Sequence, residues 1–99
     1  MSNRSAKHEN EVVAILHNIR SIHNVGSMFR TADGAGIGKL YLTGITPGPL
    51  DRFGRPLAAF TKVSLGAEQV VAWEQRRTIV PLIARLKRDG FIIVAVEQH

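Results

Sequence analysis

The stretch EVVAILHNIRSIHNVGSMFRTADGAG, residues 11–36, changes its period halfway along. Residues 12–16 are a continuous apolar run, which is typical of a parallel strand that is covered on both faces. Beyond a polar segment, apolar residues recur at the spacing of one buried helical stripe: Val25, Met28, Phe29 and Ala32. The helix is expected to begin near Asn24 and to end at the glycines that follow position 33. The stretch therefore predicts a strand, a polar loop and a helix.

The same alternation continues to the end of the chain. KLYLTG (39–44), QVVAW (69–73) and FIIVAV (91–96) have the composition of strands, and LAAFTKVSLGA (57–67) is compatible with a short helix. A second helical stripe, between a Thr78 cap and a terminating Gly90, consists of Ile79, Leu82, Ile83 and Leu86. Apolar strands that alternate with helices indicate an α/β fold, with a parallel sheet and helices on its faces.

Composition limits the class of protein. The 99 residues suit a single domain, and 13 Lys and Arg against 8 Asp and Glu give a net charge of +5. This charge favours a polyanionic partner, and nucleic acid ranks above acidic lipid because the chain has no basic amphipathic anchor. The absence of cysteine excludes disulfides and thiolate metal sites. No apolar run approaches the roughly 18 to 20 residues of a membrane span, so no membrane partner is predicted.

The first ten residues, MSNRSAKHEN, are polar and lack periodicity. They are expected to form a disordered arm, residues 1–10, in front of a domain that spans residues 11–99. Because no apolar segment follows their charges, they do not resemble a secretory signal, and the cytoplasm is the expected location.

The polar segment between the first strand and its helix is a candidate ligand site. In parallel α/β sheets, ligands bind beyond the carboxyl ends of the strands, where loops enter helices. Arg20 and Ser21 lie in this loop, Asn24 lies at the expected helix start, and Arg30 is far from the buried stripe on a helical wheel. Because a helix start attracts negative charge, these residues predict an anion site. The alternative is structural: Asn24 is only an N-cap, Ser21 and Ser27 only bond nearby backbone, and Arg30 pairs with Asp33 or with solvent.

The loop of residues 46–56 is a second candidate. It holds three of the four prolines and is long for a connector. Arg52, Phe53 and Arg55 combine positive charge with an aromatic ring, which suits stacking on an unpaired RNA base. A mobile surface loop without a ligand accounts for the same residues equally well.

Other site chemistries lack the patterns that they need. His17 and His23 have no partners at metal-ligand spacing, so no metal site is predicted. The glycines of GAGIG follow a helix and precede a strand, which is the reverse of the dinucleotide-binding order. Ser27 lacks the G-x-S-x-G pattern of a hydrolase nucleophile.

The motif N-x-R-S-x-x-N-V-G-S-x-x-R-T-A-D, residues 18–33, resembles the first motif of the SpoU branch of the SPOUT superfamily, the knotted α/β RNA methyltransferases. The similarity continues through KLYLTG with its Pro- and Gly-containing loop, the segment from Lys62 to Trp73, and the last strand into Glu97. It spans nearly all of residues 11–97. The resemblance implies the N-terminal portion of a SPOUT fold.

That resemblance also implies a function. The expected activity is methyl transfer from S-adenosylmethionine to a ribose 2′-hydroxyl of tRNA or rRNA, by a homodimer in the full-length form. The resemblance implies catalytic roles for Asn24 and Arg30. Because an arginine keeps its proton, Arg30 is expected to clamp a phosphate and orient the hydroxyl rather than to act as a literal base. The residues predicted to contact RNA are Arg20, Ser21, Arg52 and Arg55.

Similar proteins continue past the last strand into a G-x-E-x-x-G segment and an S-L-N-V-S segment, which form the knot, bind the cofactor and supply a dimerisation helix. Residues 1–99 contain neither segment, so the cofactor-binding residues are expected to lie beyond residue 99. The chain is interpreted as an N-terminal fragment or a naturally truncated relative, with uncovered apolar faces on VVAIL and FIIVAV. The alternative function is a non-catalytic RNA-binding or assembly module derived from the same fold.

Overall fold

The computed structural model describes residues 8–98. Its strands are β1 (Val12–His17), β2 (Lys39–Thr43), β3 (Ala72–Arg76) and β4 (Ile92–Glu97). Its helices are α1 (Ile22–Ala35), α2 (Ala58–Ser64) and α3 (Val80–Arg88), with a 3-10 turn at Ala67–Gln69. The strands form one sheet in the order β3-β2-β1-β4, and every neighbouring pair is parallel. The predicted α/β class, a parallel sheet with flanking helices, is confirmed.

β1 lies inside the sheet, and its alternate side chains enter two separate cores. One core joins β1 to α1 and α2 and includes Ala14, Leu16, Val25, Phe29 and Phe60. The other joins β1 to α3 and includes Val13, Ile15, Tyr41, Leu82 and Leu86. Fully burying a Val, Leu, Ile or Phe side chain contributes about 1.5–3 kcal/mol, so both faces stabilise this strand. The expectation that VVAIL would be uncovered is wrong, since residues 13–16 are buried.

β4 forms one outer edge of the sheet. Its Ile92 and Val94 side chains are 48% and 45% exposed. An apolar groove of about 210 Å³ runs between β4 and α1, and Met28, Ala32 and Val96 are among the residues that line it. The expected exposure of FIIVAV is therefore confirmed for part of this strand.

α1 begins two residues earlier than predicted. Ser21 is its N-cap, and the Ser21 hydroxyl accepts a hydrogen bond from the backbone N–H of Asn24 at 3.1 Å. A serine hydroxyl satisfies an otherwise unpaired N–H in the first turn, so the helix starts where this cap is available. The helix ends as predicted, at Gly36 in the left-handed conformation with φ 74°.

The boundaries also shift in the second half of the chain. The ambiguous segment 57–67 forms α2 and leads into the 3-10 turn. Because that turn takes up residues 67–69, the strand predicted at 69–73 lies at 72–76 instead. The N-cap of α3 is Ile79 and not Thr78, and it makes no side-chain cap hydrogen bond. Gly90, with φ 89°, follows this helix as predicted.

Most of the predicted N-terminal arm, residues 1–7, lies outside the described residues. The next three residues form a turn, in which the His8 ring stacks on Phe91 with centroids 4.3 Å apart. The His8 backbone N–H donates to the Asp89 carbonyl at 3.1 Å. Over residues 8–98, no helix combines the length and apolar character that crossing a bilayer requires.

Candidate nucleic-acid interface

A polar network fixes the loop from β1 to α1. Asn18 has a left-handed backbone with φ 56°, a conformation that asparagine tolerates better than most residues. Its backbone N–H donates to the Thr43 carbonyl at 3.2 Å, and its Oδ1 accepts from the Ile45 backbone N–H at 3.1 Å. Its Nδ2 donates to His17 Nε2 at 3.2 Å. Asn18 therefore ties the loop after β1 to the loop after β2.

The network also assigns the tautomer of His17. Since Nε2 accepts from the Asn18 amide, the ring proton belongs on Nδ1, which donates to Thr43 Oγ1 at 2.8 Å. The Thr43 hydroxyl donates onward to the Leu16 carbonyl at 3.4 Å. The ring of His17 thus joins the end of β1 to the end of β2.

An open concavity of about 720 Å³ lies beyond these strand ends. Arg20 and Ser21 line it together with Asn18, Ile45 and Gln98. The Arg20 side chain is exposed, and its backbone N–H donates to Gln98 Oε1 at 3.3 Å. Two of the residues predicted to contact RNA thus meet at the carboxyl edge of the sheet, where ligands of parallel α/β proteins bind.

Ser21, and not Asn24, caps the start of α1. The cap that the structural alternative assigned to Asn24 belongs to Ser21, and Asn24 contributes only its backbone N–H to it. The half-buried Asn24 is the third residue of α1. It is not among the residues that line the concavity at the strand ends.

Arg30 lies in a different depression. Arg30 lies six positions after Asn24, which corresponds to roughly 9 Å along α1 and about 120° around its axis. The exposed Arg30 side chain lines a shallow depression of about 290 Å³ with Ser27 and Thr31. Its guanidinium forms no ion pair within residues 8–98, so the pair with Asp33 is not observed. Because Thr31 also lines the apolar groove, the depression adjoins that groove.

The loop of residues 50–56 is organised by Asp51. Its Oδ1 accepts from the backbone N–H groups of Phe53 and Arg55 at 2.8 and 2.9 Å, and its Oδ2 pairs with Arg55 Nε at 3.1 Å. The Arg55 N–H is the main reason that the pKa of Asp51 lies below its usual value. The guanidinium carbons of Arg52 and Arg55 lie 4.9 and 5.0 Å from the Phe53 ring centroid, and this ring is 65% exposed. The structure therefore places the predicted charges beside the predicted aromatic ring, and their contact with RNA stays a prediction.

The model of the SpoU rRNA Methylase family matches residues 11–99. The chain belongs to this family. The match includes every predicted site residue of the SpoU chain, from Arg20 to Arg55. A comparison with curated proteins gives no significant match.

Three solved structures resemble the SpoU chain. The TrmH/SpoU tRNA modifying enzyme of A. aeolicus has a TM-score of 0.72 at 16% identity, over 95% of this chain and 55% of that one. An rRNA methyltransferase from Sinorhizobium meliloti has a TM-score of 0.70 at 17% identity, over 97% and 43%. An AdoMet-bound rRNA methyltransferase from the same organism has a TM-score of 0.65 at 23% identity, over 87% and 30%.

At these identities the likeness establishes the fold alone. The four-stranded parallel sheet corresponds to the N-terminal portion of the SPOUT methyltransferase fold, and residues 8–98 form no knot. The SpoU chain spans between 30% and 55% of the length of these three structures.

The residues at the strand ends do not fit S-adenosylmethionine. This molecule carries a positive sulfonium and a positive ammonium, and buried positive charges need anionic or acceptor partners. The residues that line the concavity of the SpoU chain supply a guanidinium, a hydroxyl, two amides and one aliphatic side chain, without a carboxylate. Among residues 8–98, no cluster of three His, Cys, Asp or Glu side chains could hold a metal ion.

Several residues of this interface were not predicted from the sequence. Asp51 could have been predicted, because an aspartate in a loop rich in proline and glycine often accepts a hydrogen bond from the backbone N–H two residues later, as in an Asx turn. Asn18 had a weaker signal, as an asparagine directly after a strand. Gln98 had none, because its place depends on the pairing of β4 with β1.

Proposed function

We propose that this SpoU-family chain is the RNA-facing part of a methyltransferase that modifies a ribose 2′-hydroxyl of tRNA or rRNA with S-adenosylmethionine as the methyl donor. The observation that supports this most is the state of two arginines on one loop-helix unit. Arg20 and Arg30 are both exposed, and neither guanidinium has an ion-pair partner within residues 8–98. Exposed guanidinium groups without carboxylate partners are available to phosphates.

Arg20 provides the first contact with the RNA backbone. Its side chain stands at the carboxyl edge of the sheet, beside the N-terminal end of α1. No acidic residue lies in the first turn of that helix, so the partial positive charge of the helix end is not offset there. Together with the net charge of +5, this favours a phosphate at the concavity.

Arg30 provides the second contact, at the nucleotide to be modified. Its planar fork of donors binds one phosphate through two parallel hydrogen bonds and so fixes the adjacent ribose. The neighbouring hydroxyls of Ser27 and Thr31 line the same depression and add donors or acceptors for the sugar. Asn24 lies in the first turn of α1, between the two arginines, where its amide would hold the loop or the ribose. Holding the hydroxyl in a reactive orientation is the part of the catalysis that these residues supply.

Arg52 and Arg55 extend the RNA contact to the second loop. Asp51 holds this loop closed, so the two guanidinium groups and the Phe53 ring are presented together. Bases of single-stranded RNA stack on aromatic rings and on guanidinium planes.

A non-catalytic RNA-binding module is the second candidate function. It is favoured by the poor fit of the strand-end concavity to S-adenosylmethionine. Both candidate functions predict RNA binding. Only the methyltransferase predicts methyl transfer, in a protein that also contains a binding site for S-adenosylmethionine. The apolar groove beside Arg30 supports a homodimer in the full-length form, because exposed apolar patches of this kind mark association surfaces.

RNA binding by residues 1–99 tests the proposal directly. We expect a fluorescently labelled RNA stem-loop to bind with an affinity that falls as salt rises, because phosphate contacts release counterions. Arg20→Ala and Arg30→Ala should each weaken RNA binding. Each should also reduce the slope of log affinity against log salt concentration by about one, the effect of losing one phosphate contact. Arg30→Lys should keep the positive charge but lose the bidentate hydrogen bonding. Its RNA affinity should therefore lie between that of Arg30→Ala and that of the unchanged chain.

Arg88→Ala is the matched control, since Arg88 is exposed in the last turn of α3, which packs on the face of the sheet opposite to α1. If Arg88→Ala weakened binding as much as Arg30→Ala, the contact would be a diffuse charge effect and the assigned roles would fail. Calorimetric titration with S-adenosylmethionine distinguishes the two candidate functions, because only the methyltransferase requires this cofactor. Saturable binding by this chain would contradict the poor fit of the concavity and favour the catalytic candidate.

A further inference from the structure

A cavity separate from both arginine sites lies between the proline-rich loop and the 3-10 turn. Its volume is about 280 Å³, and its apolar walls include Pro49, Pro56 and Trp73. Glu68 and Gln69 from the 3-10 turn also line it. Cavities that hold drug-sized ligands measure roughly 300–1,000 Å³, so this one suits a single flat ring system.

The polar side of the cavity has unused hydrogen-bonding capacity. Glu68 Oε1 accepts from the Ser64 hydroxyl, which fixes the carboxylate. Among residues 8–98, the one hydrogen-bonding partner near Glu68 Oε2 is the Thr61 hydroxyl, at 3.5 Å, a distance too long for a strong hydrogen bond. The exposed Gln69 side chain has no hydrogen-bond partner within residues 8–98. A ligand with an N–H donor would therefore find a fixed acceptor and a free amide.

We infer that this cavity binds one unpaired nucleobase that carries an exocyclic amine, with the base lying against Trp73 and the two prolines and its amine donating to Glu68. The inference rests on the proposed function for the presence of RNA. Stacking on an aromatic side chain stabilises any base, and a carboxylate accepts readily from an exocyclic amine. Uracil has no exocyclic amine, and its one Watson–Crick N–H lies between two carbonyl oxygens that a carboxylate repels. We therefore expect uracil to bind less tightly than a base with an exocyclic amine.

The neighbouring loop explains how such a base would be delivered. Pro49 and Pro56 flank the segment that carries Arg52, Phe53 and Arg55. Leu50 and Pro56 form a β-bridge that closes this segment at its base. The two guanidinium groups at its tip are placed to bind the phosphates that flank a base inserted into the cavity.

Trp73 is the only tryptophan of the chain, so its fluorescence reports on this cavity. The experiment titrates residues 1–99 with hexanucleotides of adenylate, cytidylate and uridylate, and separately with the three mononucleotides. We expect a saturable change in Trp73 fluorescence with adenylate and cytidylate. Binding should be roughly tenfold weaker with uridylate, the discrimination expected of one hydrogen bond to a charged group.

Two variants test the polar contacts. Glu68→Gln should reduce the discrimination against uridylate, because an amide offers uracil a donor as well as an acceptor. Glu11→Gln is its control, since this carboxylate is exposed at the amino end of β1 and its loss changes the net charge equally. Gln69→Ala leaves the contact of Ser64 with Glu68 in place and should weaken all three ligands, so it decides the matter if Glu68→Gln does not fold.

Equal binding of the three ligands would overturn the inference. So would a labelled RNA that binds through Arg20 and Arg30 without any change at Trp73, and the proposed function would then still stand. If no RNA bound at all, the proposed function would fail, and the mononucleotides would still test the cavity. A response to adenylate and cytidylate but not to uridylate would support it, and no response to any of them would overturn it.

Discussion

The amide of Asn18 lies against the backbone of Gly44, so that a Cβ on Gly44 would overlap Asn18 Oδ1 and come within 3.2 Å of His17 Cε1. Gly44 also has φ 63°, a conformation that costs other residues about 1–2 kcal/mol. The contact joins the ends of β1 and β2 directly beneath the concavity that Arg20 lines. The stability of this junction therefore controls the shape of the candidate RNA site.

Gly44→Ala is expected to destabilise the fold by more than the backbone cost alone, because the Asn18 amide must also move. The measurement is the free energy of unfolding in urea. Gly34→Ala is the matched control, because Gly34 lies inside α1 and a Cβ there meets nothing within 4 Å. Gly34→Ala should raise the free energy of unfolding by roughly 0.5–1 kcal/mol. A neutral Gly44→Ala would show that the junction is looser than the structure indicates.

Substitutions of Asn18 separate backbone conformation from hydrogen bonding. Asn18→Gly keeps the left-handed backbone but loses the bonds to Ile45 and His17, at about 0.5–1.5 kcal/mol each. Asn18→Ala loses the same bonds and adds the cost of the left-handed conformation. We therefore expect the order of stability to be unchanged chain, then glycine, then alanine. An alanine variant more stable than the glycine variant would contradict the assigned role of the backbone.

Ser21→Ala is expected to destabilise the chain by about 1 kcal/mol, because the Asn24 N–H loses its cap. Ser27→Ala, one further turn into the same helix, removes an equivalent hydroxyl without touching the cap and serves as the comparison. Equal losses in urea unfolding would mean that Ser21 contributes no capping energy.

Glu74 gives the fold a dependence on acid pH. Hydrogen bonds from Lys39, at 2.8 Å, and from Arg76 lower the pKa of Glu74 below its ordinary value of 4.5. A lowered pKa in the folded state adds stability above the pKa of the unfolded chain, and this stability is lost as pH falls through the folded-state pKa.

Glu74→Gln is thus expected to lower the free energy of unfolding by less than about 1 kcal/mol at neutral pH, since the Glu74 and Lys39 side chains are partly exposed. The gap to the unchanged chain should close as pH falls below about 4.5, where the unfolded carboxyl takes up its proton. Thermal unfolding across this range measures the gap, and Glu9→Gln, at an exposed position, corrects for net charge. A gap that persisted at the lowest pH would mean that packing, and not charge, explains the loss.

Much of the fold was readable from the sequence because its signals are local. The apolar run at 12–16 and the stripe from Val25 to Ala32 specify β1 and α1 without reference to the rest of the chain. The start of α1 was misplaced by two residues because Ser21 and Asn24 are both good caps, and only the neighbouring geometry selects one. β3 was displaced because QVVAW matches a strand, while the 3-10 turn before it has no apolar period of its own.

The candidate site was less predictable than the fold. The types of residue were identified, but the division of Arg20 and Arg30 between two depressions follows from the length of α1 and from its packing. The cavity around Trp73 is lined by residues from a loop, from α2 with its 3-10 turn, and from β3. No local pattern encodes such a meeting, since it arises only when the sheet is assembled.

The two margins of the sheet differ in kind. Glu74 on β3 forms ion pairs with Lys39 and Arg76, so the β3 margin carries charged side chains in fixed positions. The opposite margin, on β4, presents half-exposed aliphatic side chains and a row of backbone groups without a neighbouring strand among residues 8–98. Charged edges discourage strand pairing, whereas apolar edges permit it. By this criterion the β4 margin resists pairing with a further strand less than the β3 margin does.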